Sequence, residues 1–321
     1  MSTSSEYVAL RRSAGFYDRA RLIVAVSGAG TGALLSHALA RSTEFLQPGS
    51  VADSLVLDDE GRVIDIVLAI VDESRTLLLS SAESDLVAEL TAVAASLTLA
   101  DVRIQALTGW SALAVEGPLS WRAVQHFIDD DIAGLVLNEW RPVTRDALPG
   151  GLLARTGTTA EYGYVVVTPT DPEAVIALLD PADLSVVGAE ALLRARMEVN
   201  HPVLEQFTGM SVVDAGAGWA AGIEREDTFR GGDRLGGTGQ RLVAIRFEGE
   251  LTDGTDLAAD GEHIGHVHLV APSTGDEEGF ALATLRSPFD VPGLELDANG
   301  VAVRTVSRPA VRPLSWVEPI G

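Results

Sequence analysis

The segment from Leu55 to Leu79 constrains the fold most, because three short apolar runs in it are separated by two polar clusters. The clusters Asp59-Glu60-Gly61 and Asp72-Glu73-Ser74 are typical of tight turns, which reverse a strand within a few residues. Parallel strands cannot be joined by such short connections. The segment therefore predicts an antiparallel meander. Asp65 lies in its middle strand with an isoleucine on either side, so its side chain points to the opposite face from both.

Composition excludes several classes of function. The 321 residues predict two or three domains. The net charge is −23 and no lysine is present, so nucleic acid and membrane surfaces are not expected as partners. With no cysteine there is no disulfide, thiolate nucleophile or iron–sulfur site. The N-terminus has no apolar core of signal-peptide length and no apolar run is long enough to span a bilayer, which predicts a cytoplasmic protein.

A glycine-rich turn matches a nucleotide-binding pattern. It lies between a strand predicted at Leu22–Val26 and a helix that ends near Ala40. Its Gly28-x-Gly30-x-x-Ala33 spacing is that of the dinucleotide fingerprint. That fingerprint requires a parallel second strand ending in an acidic residue, whereas this chain continues into the meander. We therefore predict a tight strand-to-helix turn here and no nucleotide site.

The rest of the chain alternates strands and helices and then changes character. Periodicity predicts helices at 83–97, 120–127, 171–179 and 183–199, and strands at 102–107, 111–115, 151–155 and 164–168. From Arg241 onward only strands and turns are predicted, which indicates a separate small β domain. The predicted class is α+β, with domains at 1–100, 101–230 and 240–321. The helix at 183–199 and the loop at 209–230 belong to the second of these.

Short motifs spread along nearly the whole chain resemble those of one known family, the folate-dependent T protein of the glycine cleavage system. The matching segments are RRSAGFYD (11–18), the strand pair at 57–67, VEGP (115–118), RTGTTAEYGY (155–164), Arg196-Met197-Glu198, DAGAGW (214–219), DGEHIGHV (260–267) and FALA (280–283). No single motif is specific, but their order and spacing agree. The resemblance implies a three-domain cloverleaf of the aminomethyltransferase type, closed by a C-terminal β-barrel, around a central channel that holds tetrahydrofolate.

The resemblance also implies where the site lies. The predicted catalytic residues are Asp65, Tyr162 and Asp214, and the predicted cofactor-binding residues are Tyr17, Glu161, Val165, Arg196, Glu198 and Trp219. Tyr17 and Trp219 are included because aromatic side chains with a polar tip suit the wall of a part-polar cavity.

Three positions depart from the family pattern. The family has two successive aspartates in the meander and places the second near folate N5, whereas this chain has Asp65-Ile66. The family's pterin-binding glutamate corresponds to Val165, and an arginine that grips folate corresponds to Leu192. Buried ring nitrogens without partners would cost roughly 1–3 kcal/mol each. Either Glu161, Tyr162 or Asp214 replaces these anchors, or the channel accepts a more apolar ligand.

The histidines at 263, 266 and 268 are the remaining candidates for chemistry. Two of them would share one face of a strand, at metal-binding distance. No carboxylate partner is implied by the sequence, so no metal site is predicted.

These observations predict a tetrahydrofolate-dependent transferase of methyl or aminomethyl groups that acts on a small molecule. We expect a demethylase or methyltransferase rather than an enzyme of glycine cleavage. A lipoylated carrier protein is not expected, because the region that precedes the counterpart of Arg11 in the T protein is missing here. Two alternatives stay open: a folate-independent enzyme of specialised biosynthesis acting on an apolar metabolite, and a ligand-binding protein without catalysis.

Overall fold

The structure, a computed structural model, describes residues 2–44, 46–82, 84–179, 184–225, 227–275 and 278–320. Its strands are β1 (Ala14–Asp18), β2 (Leu22–Ser27), β3 (Val51–Leu57), β4 (Val63–Val71), β5 (Thr76–Ser80), β6 (Arg103–Ala106), β7 (Ser111–Glu116), β8 (Trp140–Pro142), β9 (Leu152–Arg155), β10 (Gly163–Thr168), β11 (Leu184–Val186), β12 (Gln240–Phe247), β13 (Asp256–Ala259), β14 (Glu262–Val270), β15 (Gly279–Arg286), β16 (Glu295–Ala298) and β17 (Val301–Val306). Its α-helices are α1 (Thr3–Arg12), α2 (Thr31–Ala38), α3 (Leu86–Ser96), α4 (Ser120–Val124), α5 (Pro172–Ile176), α6 (Ala189–Val199) and α7 (Gly218–Ala221).

The predicted meander forms one side of a five-stranded sheet with the order β3-β4-β5-β2-β6. Neighbouring strands are antiparallel throughout, with Leu55 opposite Ile66 and Leu68 opposite Leu79. Gly61 has φ +77°, as the first tight turn requires. The register of β3 and β4 shifts next to Asp65, so the strand pair carries a bulge at this point.

A second sheet has the order β11-β1-β7-β10-β9-β8. Strand β1 comes from the start of the chain, yet it pairs with β7 and β11 rather than with the meander. Conversely, β6 follows residue 100 but pairs with β2 in the first sheet. The sheets therefore cross the predicted boundary at residue 100 in both directions.

The third unit is a closed barrel with the order β12-β15-β14-β13-β16-β17. It contains all the named strands from residue 240 to residue 306, where the sequence predicts a separate β domain. After the barrel, a short 3-10 helix at Leu314–Trp316 returns towards the second sheet. The prediction of an α+β fold with a C-terminal β-barrel is confirmed.

Most predicted elements are present, with shifted ends. The helix predicted at 83–97 is α3, which begins after Asp85; this residue caps it by accepting from the Ala88 N–H. The helix predicted at 183–199 is wrong at its start, because residues 184–186 form β11 and α6 begins only at Ala189. Residue 83 and residues 180–183 lie outside the described part of the chain.

The glycine-rich turn between β2 and α2 is closed by the chain itself. The Gly30 N–H donates to the Asp101 carbonyl at 2.9 Å, and the Ala29 N–H donates to the Asp101 carboxylate at 3.2 Å. Its amide groups therefore bond to protein atoms, as expected for a structural turn.

The two sheets pack face to face, and this interface positions the site. Leu68 and Leu79 of the first sheet share a core with Ala114 and Val165 of the second. Helix α6 adds Leu192 to the same core. The opposite face of the first sheet is covered by α2 and α3. Among the described residues, no helix is long and apolar enough to cross a membrane.

Candidate functional site

A cavity of about 690 Å³ lies between the first sheet, the loop from β1 to β2, and helix α6. It is lined by Asp18, Arg19, Ala20, Arg21, Ile66, Ser81, Ala189, Leu192, Leu193, Arg196, His201, Pro202, Val203, Leu204 and Glu205. Ile66, Leu192 and Val203 make part of its wall apolar. The cavity also contains three arginines although the whole chain is strongly acidic. It can therefore hold a ligand with an apolar ring and an anionic or polar end.

Arg196 is held in place beside the cavity by a buried polar cluster. Its Nε donates to Thr158 Oγ1 at 3.0 Å, and its guanidinium lies 5.5 Å from the centre of the Tyr17 ring. The Tyr17 hydroxyl contacts Thr158 Oγ1 at 3.1 Å and donates to the Glu116 carboxylate. Burial and the neighbouring Glu116 raise the pKa of Tyr17 to about 12, so this hydroxyl stays neutral.

Glu116 is the centre of this cluster and was not predicted as a site residue. Its carboxylate also accepts from the backbone N–H and side-chain hydroxyl groups of Thr158 and Thr159, at 2.7 to 3.0 Å. Only 1% of the residue is exposed. The sequence did contain a signal for Glu116, because its motif and the motif of Thr158 and Thr159 both carry the family resemblance. The contact between them was not predicted, because Glu116 and Thr158 are 42 residues apart in the chain.

A second charged group lies at the same sheet interface. Arg19 donates to Asp53 Oδ1 at 3.0 Å. Burial raises the pKa of the Asp53 carboxyl, while Arg19, Arg196 and Arg41 oppose that rise. His201 lines the cavity nearby. Burial, with Arg196 and Arg19, lowers the pKa of its imidazole well below the usual value, so His201 is neutral at pH 7.

Asp65 does not line the cavity. It is fully buried, and its carboxylate accepts from the backbone N–H groups of Ile66 and Ala82 and from the hydroxyls of Ser80 and Ser84. It therefore fixes the loop after β5. Its predicted catalytic role stays a prediction, but the geometry gives this carboxylate a structural task.

Tyr162 and Glu161 contact the C-terminal segment instead of the cavity. Glu161 accepts from the backbone N–H groups of Leu314 and Ser315 at 3.0 and 2.9 Å. Tyr162 donates its hydroxyl to the Glu318 carbonyl at 2.7 Å. The two residues hold the chain that follows the barrel against the second sheet.

Asp214 and Trp219 also lie away from the cavity lining. The Asp214 carboxylate accepts from the backbone N–H and the hydroxyl of Thr238, just before the barrel. Trp219 is 51% exposed. Of the predicted catalytic and cofactor-binding residues, Arg196 lines the cavity and Tyr17 supports it.

Glu198 belongs to a separate buried network on the opposite side of α6. It accepts from Arg194 at 2.6 Å, from Arg11 at 2.9 Å and from the Tyr7 hydroxyl at 2.8 Å. Arg194 is 2% exposed and packs over the Phe280 ring of the barrel. This network joins α1, α6 and the barrel.

The three positions that depart from the family pattern lie together. Ile66 and Leu192 line the cavity, and Val165 is buried in the same core as Leu192. The wall is therefore apolar where the resemblance implies polar anchors.

The histidines of β14 have separate partners. His263 Nε2 lies 3.2 Å from Asp256, and His268 Nε2 lies 3.0 Å from the Gln206 carbonyl. In the part of the chain that the structure describes, no cluster of three or more histidine, aspartate or glutamate residues could hold a metal ion.

The fold and the cavity define a class: an α+β protein of two facing sheets and a β-barrel, with a cavity between the first sheet, the loop from β1 to β2 and α6. A family model described as the GCVT N-terminal domain matches residues 1–225. The chain belongs to this family, which confirms the resemblance found in the sequence.

Relatives and a solved structure agree with this assignment. The aminomethyltransferase of Streptomyces coelicolor is 28% identical over 331 residues, which cover 96% of this chain and 87% of the relative. The aminomethyltransferase of Frankia alni is 29% identical over 336 residues, covering 96% and 88%. The crystal structure of glycine cleavage system aminomethyltransferase T from Bartonella henselae has a similar fold. Its TM-score is 0.81 at 21% identity, over 97% of this chain and 90% of that chain.

Proposed function

We propose that the protein is a tetrahydrofolate-dependent one-carbon transferase that takes a methyl group from a small substrate, rather than an enzyme of glycine cleavage. The cavity between the first sheet, the loop from β1 to β2 and α6 carries this proposal, together with the similarity to aminomethyltransferases along most of the chain. Ile66 replaces the carboxylate that the resemblance implies at this position, so proton transfer in the reaction would need another group.

The residues present fit a folate-sized ligand. The cavity volume of about 690 Å³ lies within the range of roughly 300–1,000 Å³ found for small-molecule sites. Ile66, Leu192 and Val203 offer apolar contacts for a ring, while Arg19 and Arg196 offer hydrogen-bond donors to oxygen atoms. When bound, tetrahydrofolate would supply the nitrogen that carries the one-carbon unit.

The protein's own residues orient the ligand and exclude water. Arg196 is fixed by Thr158 and Tyr17 before any ligand binds, so it loses little side-chain freedom on binding. His201, uncharged at pH 7, offers a ring nitrogen as a hydrogen-bond acceptor on the same side of the cavity.

Calorimetric titration with tetrahydrofolate tests the proposal. We expect a dissociation constant below about 100 μM for the wild-type protein, corresponding to about −5.5 kcal/mol of binding free energy. Leu192→Asp, which buries a carboxylate in the apolar wall, should abolish this binding. Glu173→Asp, on the exposed surface of α5, is the control and should bind normally. Absence of binding to the wild-type protein would contradict the proposal.

A folate-independent reaction on an apolar metabolite is the second candidate. It is favoured by the apolar side chains at positions 66, 165 and 192, which leave ring nitrogens of a pterin without the partners that the resemblance implies. If the titration detects no binding of tetrahydrofolate, this second candidate is favoured. Cytoplasmic location and independence from a lipoylated carrier stay predictions.

A further inference from the structure

The register of the first sheet places Asp53 on the same face as Ile66. Asp53 lies opposite Leu68, and Leu55 lies opposite Ile66. Since side chains alternate along a strand, these four side chains lie on one face of the first sheet. On this face Leu68 packs against the second sheet, whereas Leu55 and Ile66 pack against the end of α6 and the barrel. Asp53 is diagonal to Ile66, and diagonal neighbours across an antiparallel pair are roughly 7–8 Å apart.

Asp53 is not one of the residues that line the cavity, and its contact with Arg19 connects it to the cavity wall. Arg19 lines the cavity and donates to Asp53 Oδ1 at 3.0 Å. Only 3% of the Arg19 side chain is exposed, so the ion pair holds the carboxylate in a defined position. Asp53 thus contacts one residue of the cavity wall and neighbours another.

One oxygen of Asp53 remains available. Within the described residues Oδ2 has no hydrogen-bond partner, and 19% of the side chain is exposed. Two other buried carboxylates of the sheets differ. Glu116 accepts through both oxygens from Tyr17 and from the Thr158–Thr159 loop, and Asp65 accepts through both oxygens from the loop after β5. Asp53 can therefore accept a hydrogen bond from a ligand.

The charges around Asp53 and its burial have opposite effects on its pKa. The positive charges of Arg19, Arg196 and Arg41 favour the carboxylate, whereas burial and the charge of Glu116 favour the acid. The net result is a raised pKa, which brings the group closer to neutral pH. A group with a pKa nearer the working pH both takes and returns protons more readily.

We infer that Asp53 is the catalytic residue that exchanges a proton with the ligand in this cavity. The inference rests on the proposed function. When a methyl group passes from a substrate heteroatom to an acceptor N–H nitrogen, a carbon–heteroatom bond breaks and a carbon–nitrogen bond forms. One proton must then leave the nitrogen and reach the heteroatom. Asp53 Oδ2 takes this proton and returns it to the heteroatom, so no oxidant or reductant is consumed.

The first test measures the protons exchanged when tetrahydrofolate binds. Titrations at pH 6.5 in two buffers of different ionisation enthalpy give this number. The wild-type protein should exchange a measurable fraction of a proton, because contact with a ligand changes the pKa of Asp53. Asp53→Asn, which keeps an oxygen for Arg19, should bind without this exchange. Asp59→Asn is the matched control: it removes the carboxylate that accepts from Arg230 at 2.8 Å on the surface, and it should behave as wild type.

The second test needs no ligand. A raised pKa means that the folded state holds the proton more tightly than the unfolded state, so Asp53 loses stabilising free energy as pH rises above about 4. The wild-type protein should therefore lose stability relative to Asp53→Asn between pH 4 and pH 7. Arg230 lowers the pKa of Asp59, so its stabilising effect is lost only below about pH 4, and the stability of wild type relative to Asp59→Asn should stay nearly constant from pH 4 to pH 7.

The outcomes distinguish failure of the role of Asp53 from failure of the proposed function. Equal proton exchange in wild type and Asp53→Asn overturns the role of Asp53 while leaving the proposed function intact. A flat stability difference between pH 4 and pH 7 also overturns it, because a carboxyl with the same pKa in the folded and unfolded states makes no pH-dependent contribution to stability. No binding of tetrahydrofolate to the wild-type protein overturns the proposed function and, with it, the reaction assigned to Asp53.

Discussion

At the scale of single residues, the buried carboxylates of Asp65 and Glu116 and the partly buried carboxylate of Asp53 differ in the use of their oxygen atoms. Asp65 and Glu116 are surrounded by N–H and O–H donors and hold loops in place. Asp53 has one occupied oxygen and one available oxygen. Burial alone therefore does not distinguish a reactive carboxylate from a structural one, and the inference for Asp53 depends on its unused acceptor oxygen.

Asp65→Ala should destabilise the fold strongly. It leaves the buried N–H groups of Ile66 and Ala82 without their acceptor, and each unsatisfied buried donor costs about 1–3 kcal/mol. We expect a loss of about 3 kcal/mol in the free energy of unfolding, measured with urea. Asp233→Ala, at a largely exposed side chain, should change it by less than about 0.5 kcal/mol.

Asp65→Asn distinguishes this structural task from the predicted catalytic one. Should the Asn variant keep the wild-type stability yet lose roughly 10²–10⁴ in turnover, the catalytic prediction would stand and the structural interpretation would be wrong.

The sequence predicted the positions of some site residues but not their hydrogen-bond partners. Strand alternation correctly placed Asp65 on the opposite face from Ile66. It did not reveal that Ser80 and Ser84 bury the carboxylate, because the loop geometry after β5 is not encoded in the alternation. Glu116 was missed because its partners come from a loop 42 residues away.

At the scale of elements, local patterns predicted the meander, α3 and the barrel region well. The start of α6 was wrong for a tertiary reason: residues 184–186 pair in parallel with β1, and Gly188 then precedes the helix. Pairing between segments some 170 residues apart leaves no trace in local periodicity.

The segment after the barrel depends on Glu161. Glu161→Ala removes the acceptor for the Leu314 and Ser315 N–H groups, so hydrogen exchange at these two amides should accelerate about tenfold, equivalent to about 1.4 kcal/mol. Exchange measured by mass spectrometry on the C-terminal peptide checks this. Glu173→Ala, at an exposed position of α5, should leave that peptide unchanged. Equal exchange in both variants would contradict the role of Glu161.

At the scale of the whole molecule, α6 connects the units. Arg196 faces the cavity, whereas Arg194 and Glu198 contact α1 and the barrel. The Ala310 N–H also donates to the Glu198 carbonyl at 2.7 Å. The position of the cavity wall is thus fixed by the same helix that anchors the barrel.

Glu198→Ala should be among the most damaging substitutions in the chain. It leaves the buried guanidinium groups of Arg194 and Arg11 without their carboxylate, which typically costs about 3–5 kcal/mol. Urea unfolding measures this loss. Glu60→Ala breaks an exposed pair with Arg62 and should cost no more than about 1 kcal/mol. Similar losses for the two variants would show that the buried network adds no more than a surface pair.

The pairing of β1 has a consequence for how the protein is made. Strand β1 leaves the ribosome among the first residues, but its neighbours β7 and β11 end at residues 116 and 186. At the usual rates of translation, its parallel partner appears on the order of ten seconds later or more. During that interval the apolar side chains of β1 have no completed sheet to join. The meander can close within its own 30 or so residues, whereas the second sheet is finished only after more than half of the chain has been synthesised.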